Sequence, residues 1–334
     1  MPGPPRGGQA RAWPAAGAAG SRLARAGSEG KFAAMRVLGP WLVYLSVVVL
    51  GGVLLAPWAY RAMQPAAVCL PSLRPLAEQP FHRYVNRSLL GLALVGLWPL
   101  LRRREFMSWR ELGWAGEARP GALAARGLAL GFAGLGLAGG LAVAAGARDW
   151  RTDLALGEVV RVVVLAVGSA VAVAVIEETL FRGLLQGSLR RVWRAGVAVA
   201  LSSTVYAAAH FLNRVRWDAP VDWAAGLGVL ARMLAGFGDG AQLMPGFLHL
   251  GLAGVLLGVA YERSGSLYFS AGLHAGWVFA LKLYHATTQA TAGGPIALWG
   301  SSKLTDGWVA LPVLAVTAAL LPWALRRPPA RAQS

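Results

Sequence analysis

The chain has 334 residues, is 56% hydrophobic and only 14% charged, and carries a net charge of +17. A typical soluble domain is about 25% charged, so the composition argues against a soluble domain and for a multispanning membrane protein. Its single cysteine, Cys69, excludes an intrachain disulfide and a multi-thiol metal cluster.

Most arginines fall between apolar runs, which reads as interfacial arginine and not as a nucleic-acid surface. Residues 1–34 are rich in Gly, Ala, Arg and Pro, lack a periodic apolar face, and read as a disordered basic tail. Met35-Arg36, followed at once by an apolar run, reads as a natural start. A chain of this length holds about eight spans of roughly 20 residues. The expected spans are 38–60, 86–101, 121–146, one helix from near 159 to about 190, then 195–212, 242–261, 266–285 and 307–325. The third is rich in Gly and Ala, which suits close helix contacts. The fold class is therefore all-α: a polytopic bundle of about eight transmembrane helices around a central polar cavity. Residues 35–155 hold the first three spans and 156–290 a core of four. Residues 291–334 hold the last span and a basic tail. With the N-terminus placed in the cytoplasm, inner segments hold 20 of the 32 Lys and Arg. That bias favours both termini inside. The loop 213–240, with three arginines and three aspartates, is expected to be solvated.

The fourth span carries the chemistry. Fifteen uncharged residues, Val162 to Ile176, run directly into Glu177-Glu178-Thr179-Leu180-Phe181-Arg182. An ionised carboxylate near the bilayer centre costs roughly 2.5–3.5 kcal/mol on insertion scales, so two in a row mark a functional site with a nearby partner. Glu178 and Arg182 are i,i+4 in the favourable order for a pair. Glu177 lies about 100° around the helix and is left to burial. A short link centred near Trp193 makes spans four and five antiparallel neighbours. Glu177 and His210 then lie roughly 23–26 Å from that turn, at similar depth. A second hairpin turns at Ser264-Gly265, and both His249 and His274 can reach the interior from it. Spacing does not choose between them. His82 and His285, near span ends, read as interfacial, and Tyr206 as a packing neighbour of the site.

The stretch Glu177-Glu178-x-x-x-Arg182, then Tyr206-x-x-x-His210, then His274 in Gly272-Leu273-His274-Ala275-Gly276-Trp277 resembles the CAAX prenyl endopeptidase and bacteriocin-processing (CPBP, or Abi) family. The resemblance covers about residues 156–290. It implies an intramembrane endopeptidase acting on a membrane-associated substrate, CAAX-like or a secreted peptide, in a bacterial cell membrane. It implies catalytic roles for Glu177, Glu178, Arg182, His210 and His274. Glu177, helped by His210, would activate water, and His274 would stabilise the oxyanion, with no cofactor. The alternatives are a zinc enzyme using Glu177, Glu178, His210 and His274 as ligands, or a non-catalytic immunity or peptide-binding protein. Val278 stands where the family has a polar residue, usually asparagine, four after the second histidine.

Overall fold

A computed structural model describes residues 29–102, 108–212, 215–238, 240–291, 295–301 and 304–326. Residues 1–28 of the expected tail, with Asn213 and Arg214 beside His210, lie outside the described residues. The expected all-α polytopic architecture is observed.

The first span is longer than its apolar core. It begins at Glu29, inside the expected tail, and comprises Glu29–Ser46, a π-helical stretch Val47–Gly51, and Gly52–Cys69 (together α1). The helix continues through Arg61–Val68, Pro65 included, beyond the predicted end at 60. Next come α2 (Phe81–Leu101) and α3 (Pro120–Ala144). Pro120 opens α3, where a missing N–H costs no helical bond. A short strand β1 (Arg148–Trp150) follows, then α4 (Leu156–Leu189), α5 (Ala195–Phe211) and α6 (Ala225–Ala235). The hairpin of α7 (Gly246–Ser264) and α8 (Leu267–Thr287) closes through Gly265 at φ +67°, the left-handed conformation that ends many helices. Strand β2 (Thr288–Ala290) pairs antiparallel with β1, and α9 (Ala310–Ala324) completes the bundle.

Four stretches, Met35–Cys69, α2, α3 and α4, are long and apolar enough to cross a membrane. Helices α5, α6 and α9 are apolar but shorter. Leu42, Val43, Leu54, Val160, Val164 and Leu165 are among the large apolar side chains on the outer surface. A soluble monomer rarely exposes such a surface; lipid is its natural solvent.

One correction concerns the loop 213–240. It is not simply solvated: α6 buries Val229 and Met233 and packs on α1. At Gly226 a Cβ would lie 1.8 Å from the Val53 carbonyl oxygen, so only glycine permits this approach.

The most extensive helix contact joins α3 to α8. Gly127 and Gly131 face Gly272 and Gly276, two G-x-x-x-G patterns in register. A Cβ on Gly131 would lie 2.2 Å from the Leu273 carbonyl oxygen, and one on Gly272 2.0 Å from that of Ala124. Between spans, where lipid removes the hydrophobic drive, such close approach supplies the packing. It fixes α8, and with it His274, against the body of the bundle. Helix α8 also packs on α4, and α5 on α7. The four core spans thus surround one interior space.

Candidate active site

Helix α4 is α-helical to Glu178, π-helical over Thr179–Gln186, and α-helical again to Leu189. Thr179 lies at the switch: its Oγ1 donates to the Val175 carbonyl at 2.6 Å and accepts Trp114 Nε1–H at 2.9 Å. Such back-bonding perturbs a helix, and π-turns recur at functional sites.

The two glutamates diverge from this point. Glu178 is 0% exposed and Arg182 1%. Arg182 Nη1 lies 3.4 Å from Glu178 Oε1, Nη2 donates to the Gly254 carbonyl at 3.1 Å, and the guanidinium stands 4.6 Å from the Tyr206 ring centre. His274 Nδ1 meets Glu178 Oε1 at 3.0 Å. Glu178 thus sits between a cation and an imidazole, out of contact with solvent. Glu177 keeps 24% of its side chain accessible. Glu178 is the more deeply buried of the two, yet Glu177 Oε2 is itself buried and has no hydrogen-bond partner among the described residues.

Glu177 Oε2 lies 3.6 Å from His210 Nε2 and 3.8 Å from His274 Nε2. His210 Nδ1 is 2.9 Å from the Tyr206 carbonyl oxygen. A carbonyl only accepts, so Nδ1 carries the hydrogen, and in the neutral ring Nε2 is left as an acceptor toward Glu177. The Tyr206 ring lies 4.4 Å from that of His210 and 6.1 Å from that of His274. The structure therefore brings together all five residues singled out in the sequence. Tyr206 does more than pack: its carbonyl sets the His210 tautomer and its ring carries Arg182. A backbone carbonyl leaves no trace in residue identity, so this role is invisible in the sequence.

A cavity of about 710 Å³ adjoins the cluster, lined by His210, His274, His249, Trp277 and Val278 among others. Arg161, Lys282 and His285 line it too. His285 is therefore at the cavity wall as well as near a span end. A second, apolar pocket of about 240 Å³ between α1, α2 and α4 reaches Glu177 and His210 from the other side. The choice left open between His249 and His274 is resolved for the glutamates: His274 touches both, while His249 lines the cavity.

Among the described residues no group of three or more His, Cys, Asp and Glu side chains is placed to hold a metal ion. His274 Nδ1 is committed to Glu178 and His210 Nδ1 to a carbonyl. Each ring's Nε2 remains directed at Glu177 Oε2.

A helical bundle with a carboxylate and two imidazoles converging beside a cavity between apolar spans defines a polytopic membrane protein with a buried polar site. Residues 159–280 match the family model described as type II CAAX prenyl endopeptidase Rce1-like, so this segment of the chain is similar to that family. No curated protein and no solved structure matches it.

Proposed function

We propose that the chain is an intramembrane endopeptidase that hydrolyses a peptide bond of a membrane-associated substrate with water activated by Glu177 and His210. The convergence of Glu177 Oε2 with both Nε2 atoms, within 3.6 and 3.8 Å, carries this reading. These gaps are too long for direct hydrogen bonds. A water beside them reaches both Glu177 and His210, as a general base requires.

In this scheme the water oxygen attacks the scissile carbonyl carbon while its proton passes to Glu177. The carbonyl oxygen becomes an oxyanion. His274 donates Nε2–H to it when the ring carries both protons, with Glu178 as counter-charge at Nδ1. Arg182 balances Glu178 and anchors it through the Gly254 carbonyl. The carbon–nitrogen bond then breaks, and the proton held by Glu177 goes to the leaving amine. No covalent enzyme intermediate forms. The family's name supports a CAAX-like substrate; a secreted peptide is the other class. The Lys and Arg bias supports cytoplasmic termini.

One observation favours a second reading. Val278 lines the cavity and offers no hydrogen bond where the family has a polar residue. A non-catalytic peptide-binding or immunity protein would retain the cavity and lose turnover. Incubating detergent-purified protein with a library of membrane-anchored peptides separates the two. Cleavage that survives chelator and is lost in Glu177→Ala and His210→Ala supports the glutamate mechanism. Inhibition by chelator with rescue by zinc overturns it, and peptide binding without cleavage supports the second reading.

A further inference from the structure

Two polar groups on the wall of the large cavity have no role in this scheme. His249 is 2% exposed, and its Nε2 has no hydrogen-bond partner among the described residues. Trp277 is 6% exposed, and its Nε1–H is likewise unpartnered. A buried polar group without a partner costs free energy, so its retention asks for a reason.

His249 is held firmly. Its Nδ1 lies 2.8 Å from the Thr305 carbonyl oxygen, and Trp308 meets the ring edge-on at 6.2 Å. Asp306, next to Thr305, accepts from both Ser301 N at 2.9 Å and Ser301 Oγ at 2.6 Å, which closes that loop on itself. Because the Thr305 carbonyl accepts, His249 Nδ1 carries a hydrogen. In the neutral ring Nε2 is then an acceptor, while an indole N–H only donates. The two residues that line the cavity thus hold one unpartnered acceptor and one unpartnered donor, both buried.

Their depths match a peptide backbone. Measured from the turn at Ser264-Gly265, at about 1.5 Å per residue, Trp277 lies about 5 Å beyond His274 and His249 roughly 8 Å beyond it. Trp277 is three residues after His274 and so shares its helix face. One extended residue spans about 3.3–3.6 Å. Along the bundle axis the two groups therefore stand about one to two residues from the bond at His274, and about one residue apart.

We propose that His249 and Trp277 form a main-chain binding subsite, in which His249 Nε2 accepts a substrate peptide N–H and Trp277 Nε1–H donates to a substrate carbonyl. They are positioning residues, not catalysts. The subsite reads backbone and not side chains, so it holds an extended peptide of varied sequence in register with His274. This rests on the protease reading.

The test separates the two nitrogens of His249. His249→Asn keeps a donor for Thr305 and loses the Nε2 acceptor; His249→Gln places an acceptor near Nε2 and loses the Thr305 contact. The probe is a fluorogenic lipid-anchored peptide that the unsubstituted protein cleaves, with analogues N-methylated at each main-chain amide. We expect His249→Asn to raise KM about five- to tenfold, the scale of one hydrogen bond, with kcat changed less than twofold. His249→Gln restores KM. One N-methyl analogue loses a similar factor with the unsubstituted protein and nothing further with His249→Asn. Trp277→Phe raises KM comparably. The opposite order, Asn tolerated and Gln impaired, assigns His249 a purely structural contact and overturns the proposal, as does an N-methyl series with no sensitive position. That series needs only the unsubstituted protein, so it decides the matter if a variant does not fold. Failure of the unsubstituted protein to cleave any library peptide refutes the protease reading itself, and this subsite with it.

Discussion

Replacing Arg182 by methionine tests whether Glu178 and Arg182 are a single buried unit. Arg182 is 1% exposed and Glu178 0%, with 3.4 Å between Nη1 and Oε1. Methionine keeps much of the apolar stem but deletes the cation and the bond to the Gly254 carbonyl. Glu178 would then be left with the His274 ring and the Ser270 hydroxyl. Removing one partner of a buried pair typically costs about 3–5 kcal/mol, most of it the penalty for the stranded charge. Neutralising that charge should recover much of it, so the Arg182→Met, Glu178→Gln double variant should be more stable than Arg182→Met alone. The expected coupling is about 2–3 kcal/mol, at the upper end for contacting residues. Denaturant titration of the four proteins in one detergent, followed by tryptophan fluorescence, closes the cycle. Additive losses, with the double variant weakest, would show that the two side chains are stabilised independently and refute the argument.

Other outcomes follow from the same geometry. His274→Ala should lower kcat by about 10²–10³ with little change in substrate binding, measured by single-turnover cleavage. Val278→Asn supplies a donor at the cavity wall and should raise kcat, by up to about 10²; no gain would show that position 278 does not face the oxyanion. Gly272→Leu, whose Cβ alone would meet the Ala124 carbonyl oxygen at 2.0 Å, should force α3 from α8. Loss of a disulfide crosslink engineered between those helices, together with lowered thermal stability, checks it. Exposed Cys69 at the end of α1 should react with an impermeant maleimide from outside the cell if the N-terminus is cytoplasmic; labelling only after lysis reverses the orientation.

Much of the site is legible in the sequence. Two glutamates and an arginine inside an uncharged run are so costly in lipid that they had to be partnered. The i,i+4 spacing named the pair correctly, and counting residues from Trp193 placed His210 beside Glu177. Three features resisted. The assignment of deeper burial to Glu178 depends on which face of α4 meets α8, which no residue count reveals. The choice of His274 over His249 depends on α8 being drawn against α3 by four glycines. Depth does not choose between them, because it ignores which face a helix presents. Finally, α6 was hidden by the charges around it: Arg216, Asp218, Asp222 and Arg232 suggest solvent, but Val229 and Met233 lie on the face turned to α1.

The most direct measurement of the central claim is single-turnover cleavage of a membrane-anchored peptide in ¹⁸O-labelled water by the unsubstituted protein and by Glu177→Gln. Water activated by Glu177 predicts one ¹⁸O in the new carboxyl group, no covalent adduct on the protein, and a rate loss of about 10²–10⁴ in Glu177→Gln at unchanged thermal stability. A trapped acyl-enzyme, or a folded Glu177→Gln protein that cleaves at the original rate, would contradict it.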